Sequence, residues 1–423
     1  MRIALVAIGS RGDVQPFLAL GSALRSRGHD VCLATHADFR DLTHEAGLEY
    51  AVVPGSPAHY FGSPEVIASL RSSRSPWQLV RRMPKQDAAV AAEATAVMAG
   101  YVHRASEGAD ALVTSPFVRN AFLGRPPDIP WTFVSWYPNT PTSAFPAMGM
   151  PRLPLGGLYN RISHHVSQRI EWRTSRPVVN AYRAKLGKRA LGGRVPFAEL
   201  ERGRPAFCLQ SPAVLPKPSD WPDTVHMDGY WFWDREWEPT PEAIAAVEEG
   251  PAPIVLSFGS LWPAYPEHSL ATVVAAARAQ GRKVVVIDGP DGDRLPPDVV
   301  RLHDVDYTWL FPRAAAVVHH GGFGTGAAVL RAGVPQVVAP IFVDHPFWAE
   351  RMEALGVAPQ GIPGSRLEPG LVRRALKQAV HDSDMRRRAE ELGRMIRAES
   401  AVERACVALE RWVGVSESTS WRC

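Results

Sequence analysis

Short apolar runs alternate with helical patterns through most of this chain, and that alternation constrains the fold more than any other feature. In the first half the runs lie at residues 3–8, 31–34, 50–53, 111–114, 131–135 and 206–209. In the second half they lie at 254–258, 283–287, 299–302, 315–319 and 336–340. A strand with one face in water alternates apolar with polar residues. These runs are apolar on both faces, so each predicts a strand covered on both sides by helices, as in parallel sheets. Two such sets predict an α/β chain of two doubly wound, Rossmann-like domains facing a central cleft.

At 423 residues the chain is too long for one ordinary core. The expected division is 1–214 for the first domain, 215–240 for a linker and 241–398 for the second domain. Residues 399–423 then form a helix and tail that pack back on the first domain. The proline-rich stretch from Ser211 to Pro222 reads as extended interdomain connection.

Composition excludes several classes. With 46% apolar and 21% charged residues, the chain is that of a soluble globular protein. The net charge of +4 is a modest excess. The basic clusters at 71–74, 81–85, 185–189 and 386–388 are scattered and read as solvated faces, not a nucleic-acid surface. Cys32, Cys208, Cys406 and Cys423 share no metal-binding spacing, which argues against a zinc site or disulfide framework and for a reducing compartment. No run approaches the ~20 apolar residues a membrane span needs, and no signal peptide is legible. A cytoplasmic location is expected, with peripheral membrane contact left open. Nothing in the pattern speaks to oligomeric state.

The string His319-His320-Gly321-Gly322-Phe323-Gly324-Thr325-Gly326 follows a strand run and opens a helical one. Strand, glycine-rich turn and helix bring backbone N–H groups close to an anion, where the helix dipole favours negative charge. The segment reads as a phosphate site. A second turn, Gly9-Ser10-Arg11-Gly12-Asp13-Val14-Gln15-Pro16, follows the first strand. It lacks the G-x-G-x-x-G spacing, and the second strand ends in Ala34-Thr35-His36 without an acidic ribose reader. Asp13 is either a general base at the cleft mouth, with Ser10 serving a phosphate, or the N-cap of a helix over 14–27.

Phe258-Gly259-Ser260 is either a diphosphate contact or an ordinary strand-to-helix turn. Asp344-His345 is either a hydroxyl-reading pair or a cap beside a surface histidine. Three D-x-D strings (Asp291–Asp293, Asp304–Asp306 and Asp382–Asp384) have the form of divalent-cation ligands but sit where solvated acids are common. No metal is expected.

In order and spacing these strings resemble the family 1 glycosyltransferases of the GT-B fold. The nearest likeness is to the bacterial antibiotic (glycopeptide- and macrolide-type) and sterol glucosyltransferase-like branch. The likeness extends over Thr140-Pro141-Thr142-Ser143-Ala144-Phe145-Pro146, Ser211-Pro212-Ala213-Val214, Asp220-Trp221-Pro222 and Gly229-Tyr230-Trp231-Phe232. It continues through Asp306-Tyr307-Thr308-Trp309-Leu310-Phe311-Pro312 and Asp344-His345-Pro346-Phe347-Trp348-Ala349.

The resemblance implies inverting transfer of a sugar from a nucleoside diphosphate, UDP- or dTDP-linked, to a hydroxyl of a hydrophobic natural product. It makes Asp13 the base. It places the diphosphate on His320, Gly322, Gly324, Thr325, Ser10 and Ser260, with no metal or other cofactor. It lays the nucleotide base along the backbone near Leu302 and Val305, and gives His319 a structural role.

The chain departs from the pattern at three positions. An Asp-Gln pair is usual where Asp344-His345 stands, and a neutral imidazole offers fewer hydrogen bonds than an amide. Phe323 replaces a small residue and is expected to shape the sugar pocket. Gly326 replaces a threonine. On the acceptor side, Trp77, Trp136, Tyr137 and Phe145 are candidates for an apolar cleft, or else core. The rivals are a non-catalytic nucleotide-binding auxiliary of a transferase and a GT-B sugar-nucleotide epimerase. The presence of Asp13 and His320 argues against the auxiliary.

Overall fold

The computed structural model describes residues 1–56, 64–72, 87–289, 295–296, 298–341 and 344–420. The chain divides into two compact units. The first holds Met1–Ser56, Lys85–Trp233 and Glu399–Cys423; the second holds Pro57–Pro84 and Asp234–Ala398.

In chain order the first half contains β1 (Arg2–Val6), α1 (Arg11–Ser26), β2 (Asp30–Thr35), α2 (Arg40–Glu45), β3 (Glu49–Val52) and α3 (Pro64–Ser72). Then come α4 (Ala88–Ala105), β4 (Ala111–Thr114), α5 (Arg119–Gly124), β5 (Trp131–Ser135), α6 (Gly156–Lys185), α7 (Phe197–Leu200), β6 (Ala206–Cys208) and β7 (Val225–His226). The strands form one parallel sheet in the order β3-β2-β1-β4-β5-β6-β7.

The second half continues with α8 (Pro241–Glu248), β8 (Ile254–Ser257), α9 (Ser269–Arg278), β9 (Val284–Ile287), β10 (Val299–Leu302), α10 (Tyr307–Leu310) and β11 (Ala316–His319). It ends with α11 (Phe323–Ala332), β12 (Gln336–Val338), α12 (His345–Ala354), α13 (Pro369–His381), α14 (Ser383–Arg397) and α15 (Ala401–Ser420). Its sheet is also parallel, in the order β10-β9-β8-β11-β12.

The central apolar runs behave as parallel strands should: Ile3, Leu5, Val6, Ile254, Val255 and Leu256 are all 0% exposed, whereas β3, at the sheet edge, leaves Val52 51% exposed. Among the described strands only β7 had no apolar run to announce it. It is two residues long and pairs at the sheet edge, where pairing needs no buried face.

Two placements differ from the linear reading. The proline-rich stretch is no spacer: Val214, Leu215 and Trp221 are buried in the first unit. Asp220 fastens it by accepting from the Thr142 hydroxyl (2.6 Å) and from the Ser143 N–H (2.7 Å) and hydroxyl (3.0 Å). These bonds, Thr142 foremost, hold its carboxyl down to about 2. Helix α3 lies between first-domain elements in sequence yet belongs to the second unit, because its Val66 and Leu70 bury in that unit's core. Helix α15 rests on α1 of the same unit, where Arg27 donates to both Glu410 carboxylate oxygens at 2.7 Å. Among the described residues no helix is long and apolar enough to cross a membrane, and Cys32, Cys208 and Cys406 are buried free thiols.

Candidate active site

A doubly wound sheet binds ligands beyond the carboxyl ends of its strands, where the strand order reverses. In the second sheet that point falls between β8 and β11. Register pairs His319 with Ser257, so His320 and the turn after Ser257 leave the sheet side by side.

His319 is 1% exposed. Its Nδ1 accepts from the Gly321 N–H (3.1 Å), which leaves Nε2–H to donate to Gln336 Oε1 (2.8 Å). Burial lowers its pKa to about 4. It is a neutral bracket for the turn.

His320 points the other way. Its Cε1 lies 3.6 Å from where a Cβ on Gly259 would sit, and its Nε2 lies 2.2 Å from where one on Gly322 would sit. The ring is thus nested between the two turns, and only glycine at 322 leaves room for it. Burial first, then His345 and His319, hold the imidazole well below its ordinary pKa. Next to it α11 begins, with Gly322 as N-cap. Gly322 to Thr325 are half-buried, and the first intrahelical bond runs from the Gly326 N–H to the Gly322 carbonyl (2.9 Å). The N–H groups ahead of Gly326 are those a helix start leaves for an anion. Phe323 heads this turn, and Ser260 is exposed at the end of the other.

Asp344 and His345 stand at the start of α12. The His345 ring meets the His320 ring edge-on at 5.1 Å, so the unusual histidine packs directly on His320. Burial pushes His345 down to about 3 and Asp344 up to about 6. Asp344 occupies the N-cap position, but its side chain makes no cap bond; its carboxylate is 4.0 Å from His345 Nε2.

Leu302 and Val305 bury their side chains in a core cluster with Leu310 and Phe311. Any contact they make with a nucleotide base is therefore through backbone. The D-x-D carboxylates have other work. Asp306 caps α10 through the Thr308 N–H (2.5 Å), and Asp304 pairs with Arg235 (3.0 Å). Asp382 caps α14 through the Met385 N–H (2.9 Å), and Asp384 pairs with Arg387 (3.1 Å). Asp291 and Asp293 lie outside the described residues.

In the first sheet the order reverses between β1 and β4. Helix α1 starts at Arg11, earlier than expected, so Ser10 is the N-cap and Asp13 the third helical residue. Asp13 Oδ2 accepts from the Ser10 N–H (2.6 Å) and hydroxyl (2.9 Å). The cap therefore exists, with Asp13 reaching back, and the Ser10 hydroxyl proton is committed to Asp13. A carboxylate offers about four acceptor positions, so capping does not use up its capacity for a proton. Gly9 (φ +130°) makes this geometry possible, since a Cβ there would sit 2.3 Å from Asp13 Oδ2.

Two residues had no role in the linear reading. His36, at the end of β2, accepts from the Gly9 N–H through Nε2 (3.3 Å) and so steadies the turn that holds Asp13. Phe117 is 56% exposed and stacks on Trp136 (5.7 Å, 29°). Trp136 itself is 3% exposed, so Phe117 presents the aromatic surface there. The signal for both was position alone: each follows a strand of the first sheet. Tyr137 is half-buried, its carbonyl held by the Ser135 hydroxyl (2.8 Å). Phe145 packs edge-on against Trp221 (6.4 Å) in a small core cluster. Trp77 lies outside the described residues.

Comparison with known proteins agrees with this layout. Residues 3–115 match the glycosyltransferase family 28 N-terminal domain, and residues 272–407 match the erythromycin biosynthesis protein CIII-like C-terminal domain. The O-mycaminosyltylonolide 6-deoxyallosyltransferase of Streptomyces fradiae is 43% identical over 97% of both chains. A sterol 3-beta-glucosyltransferase of Emericella nidulans is 32% identical over 97% of this chain, which spans 30% of that longer protein. Among solved structures, the glycotransferase of kitacinnamycin (TM-score 0.65, 22% identity) covers 97% of this chain and 98% of its own. A spinosyn rhamnosyltransferase (TM-score 0.66, 18% identity) covers 97% and 100%, and has also been solved with thymidine diphosphate. With two parallel α/β sheets, a glycine-histidine turn at one switch point and a capped aspartate at the other, the chain belongs to the GT-B glycosyltransferases, in the antibiotic and sterol glucosyltransferase-like branch.

Proposed function

We propose that this enzyme transfers a deoxyhexose from a dTDP-linked donor to a hydroxyl of a macrolide-type acceptor, with inversion at the anomeric carbon. The observation that carries the reading is the nesting of His320 between Gly259 and Gly322 at the head of α11. Such a site neutralises a leaving diphosphate with preorganised N–H groups and a helix dipole. The similarity to a 6-deoxyallosyltransferase over nearly the whole chain supports the sugar and acceptor classes. A related fold solved with thymidine diphosphate supports the nucleotide.

In this scheme the acceptor oxygen attacks the anomeric carbon as its proton passes to Asp13. The bond from that carbon to the diphosphate breaks on the opposite face, and single displacement inverts the centre. His320, neutral in its buried setting, donates one hydrogen bond to the departing oxygens, alongside Gly322, Gly324, Thr325 and Ser260. Ser10 acts through Asp13. Asp344 and His345 read the sugar beside Phe323. No metal enters this scheme.

The test pairs donor and acceptor. Purified protein is given dTDP-deoxyhexoses or UDP-glucose with a macrolide aglycone, with and without chelator, and products are resolved by mass. The reading expects transfer from the dTDP-deoxyhexose, unchanged by chelator. An epimerised donor formed without acceptor, separated by chromatography from its parent of equal mass, would make it an epimerase. Loss of transfer in chelator, restored by Mg²⁺, would overturn the metal-free scheme.

A further inference from the structure

Helix α6 carries an apolar ridge that the fold leaves in solvent. Leu158, Ile162 and Val166 are 74%, 50% and 38% exposed. At 3.6 residues per turn, positions four and eight apart fall within about 80° of one another, so the three form one row. Leu153 and Leu155, in the approach to the helix, are 47% and 63% exposed. Scattered exposed aliphatics need no explanation, but a contiguous row marks a contact surface. Nor is the helix misplaced, because Ser163 and His164 bury its other side.

The charge along the same ridge is one-sided. Arg169 and Arg173 are exposed and continue the row toward the carboxyl end of the helix, within the same arc. Arg161 flanks it, with Asp220 at 3.6 Å. The one acid of α6, Glu171, is drawn to Arg119 (2.9 Å). An apolar row followed and edged by arginines is the composition of a helix that lies in the interface of an anionic membrane. A second copy of the chain fits less well. Packed two-fold and antiparallel on Ile162, it would set Arg169 and Arg173 against residues 151–155 of the other copy, which hold Arg152 and no acid, and packed parallel it would set arginine beside arginine.

We propose that the first half of α6, with residues 153–155, is a docking face for an anionic lipid surface. The aliphatic row enters the headgroup boundary and Arg169 and Arg173 meet lipid phosphates. Binding to vesicles is read without turnover, so it stands or falls apart from the sugar-transfer scheme.

The experiment is co-sedimentation of the full chain with phosphatidylcholine vesicles, with and without phosphatidylglycerol. The face should bind the phosphatidylglycerol vesicles and release them as salt rises. Leu158→Ser/Ile162→Ser/Val166→Ser and, separately, Arg169→Glu/Arg173→Glu should each cut partitioning by about tenfold or more. Both sets are exposed, so thermal midpoint should stay at wild type, and a matched fall in midpoint would be scored as misfolding by circular dichroism. The double arginine variant, which touches no apolar side chain, then decides the matter. Wild-type protein that stays in the supernatant, or well-folded variants that still sediment, would overturn the proposal. So would a dimer in light scattering that the triple variant dissolves, because the ridge would then be a self-association surface.

Discussion

Replacing Asp13 by Asn separates two jobs that one carboxylate performs. In the native turn Oδ2 holds the Ser10 N–H and hydroxyl. An asparagine carbonyl can keep both bonds, as Gln replaces Glu at the same position of a capping box. What it loses is the negative charge near the helix start, worth about 0.3–1 kcal/mol. For a unit of this size that shifts the thermal midpoint by about 1–4 °C. The base is another matter. General-base catalysis contributes about 10²–10⁴-fold, or roughly 3–5 kcal/mol in the barrier. Asp13→Asn should therefore lower kcat by at least about a hundredfold while thermal midpoint and dTDP affinity barely move. Asp13→Ala is the control, losing both bonds from Ser10 as well, at about 0.5–1.5 kcal/mol each. Initial rates of transfer by liquid chromatography, with midpoints from calorimetry, measure both. If Asp13→Asn keeps more than about a tenth of wild-type kcat, the carboxylate is a cap and the base lies elsewhere.

Three further outcomes follow from the geometry. Gly322→Ala puts a Cβ 2.2 Å from His320 Nε2 and must swing the ring aside, so dTDP affinity by calorimetry should fall about tenfold or more, the scale of one lost charged hydrogen bond. Burial raises Asp344 from 3.8 to about 6, so its protonated form favours the native state, an advantage complete below about pH 4 and lost as pH rises through 6. Asp344→Asn stays neutral, and its midpoint relative to wild type should climb between those values by the equivalent of at most about 3 kcal/mol, then level off; a flat difference would contradict the burial argument. Phe117→Ala removes the exposed ring over Trp136 and should raise KM for an aromatic or macrocyclic acceptor several-fold, leaving donor affinity unchanged, as acceptor titrations at saturating donor would reveal.

Much of the site was legible because its chemistry is local. The glycines of 321–326 and the span from Ser10 to Asp13 are contiguous strings whose backbone demands are written in their residue types. His36 and Phe117 escaped because their partners, Gly9 and Trp136, are brought near only by the pairing of strands distant in sequence. The start of α1 was misplaced for a related reason: Pro16 suggested a first turn, but it sits inside the helix.

By itself the sequence determined that there would be two parallel sheets, since strands apolar on both faces are stable only under helices on both sides. It also determined where each glycine-rich turn would fall, because a turn needs only its own residues. Tertiary structure alone decided the order of the strands, and with it which turns meet at a switch point. It alone placed His345 against His320, sent Val66 and Leu70 into the second unit's core, and drew the proline-rich stretch into the first. Each of those outcomes is a contact between residues far apart in the chain. Such contacts are selected by burial and hydrogen bonding in the assembled fold, and no local pattern of residues encodes them.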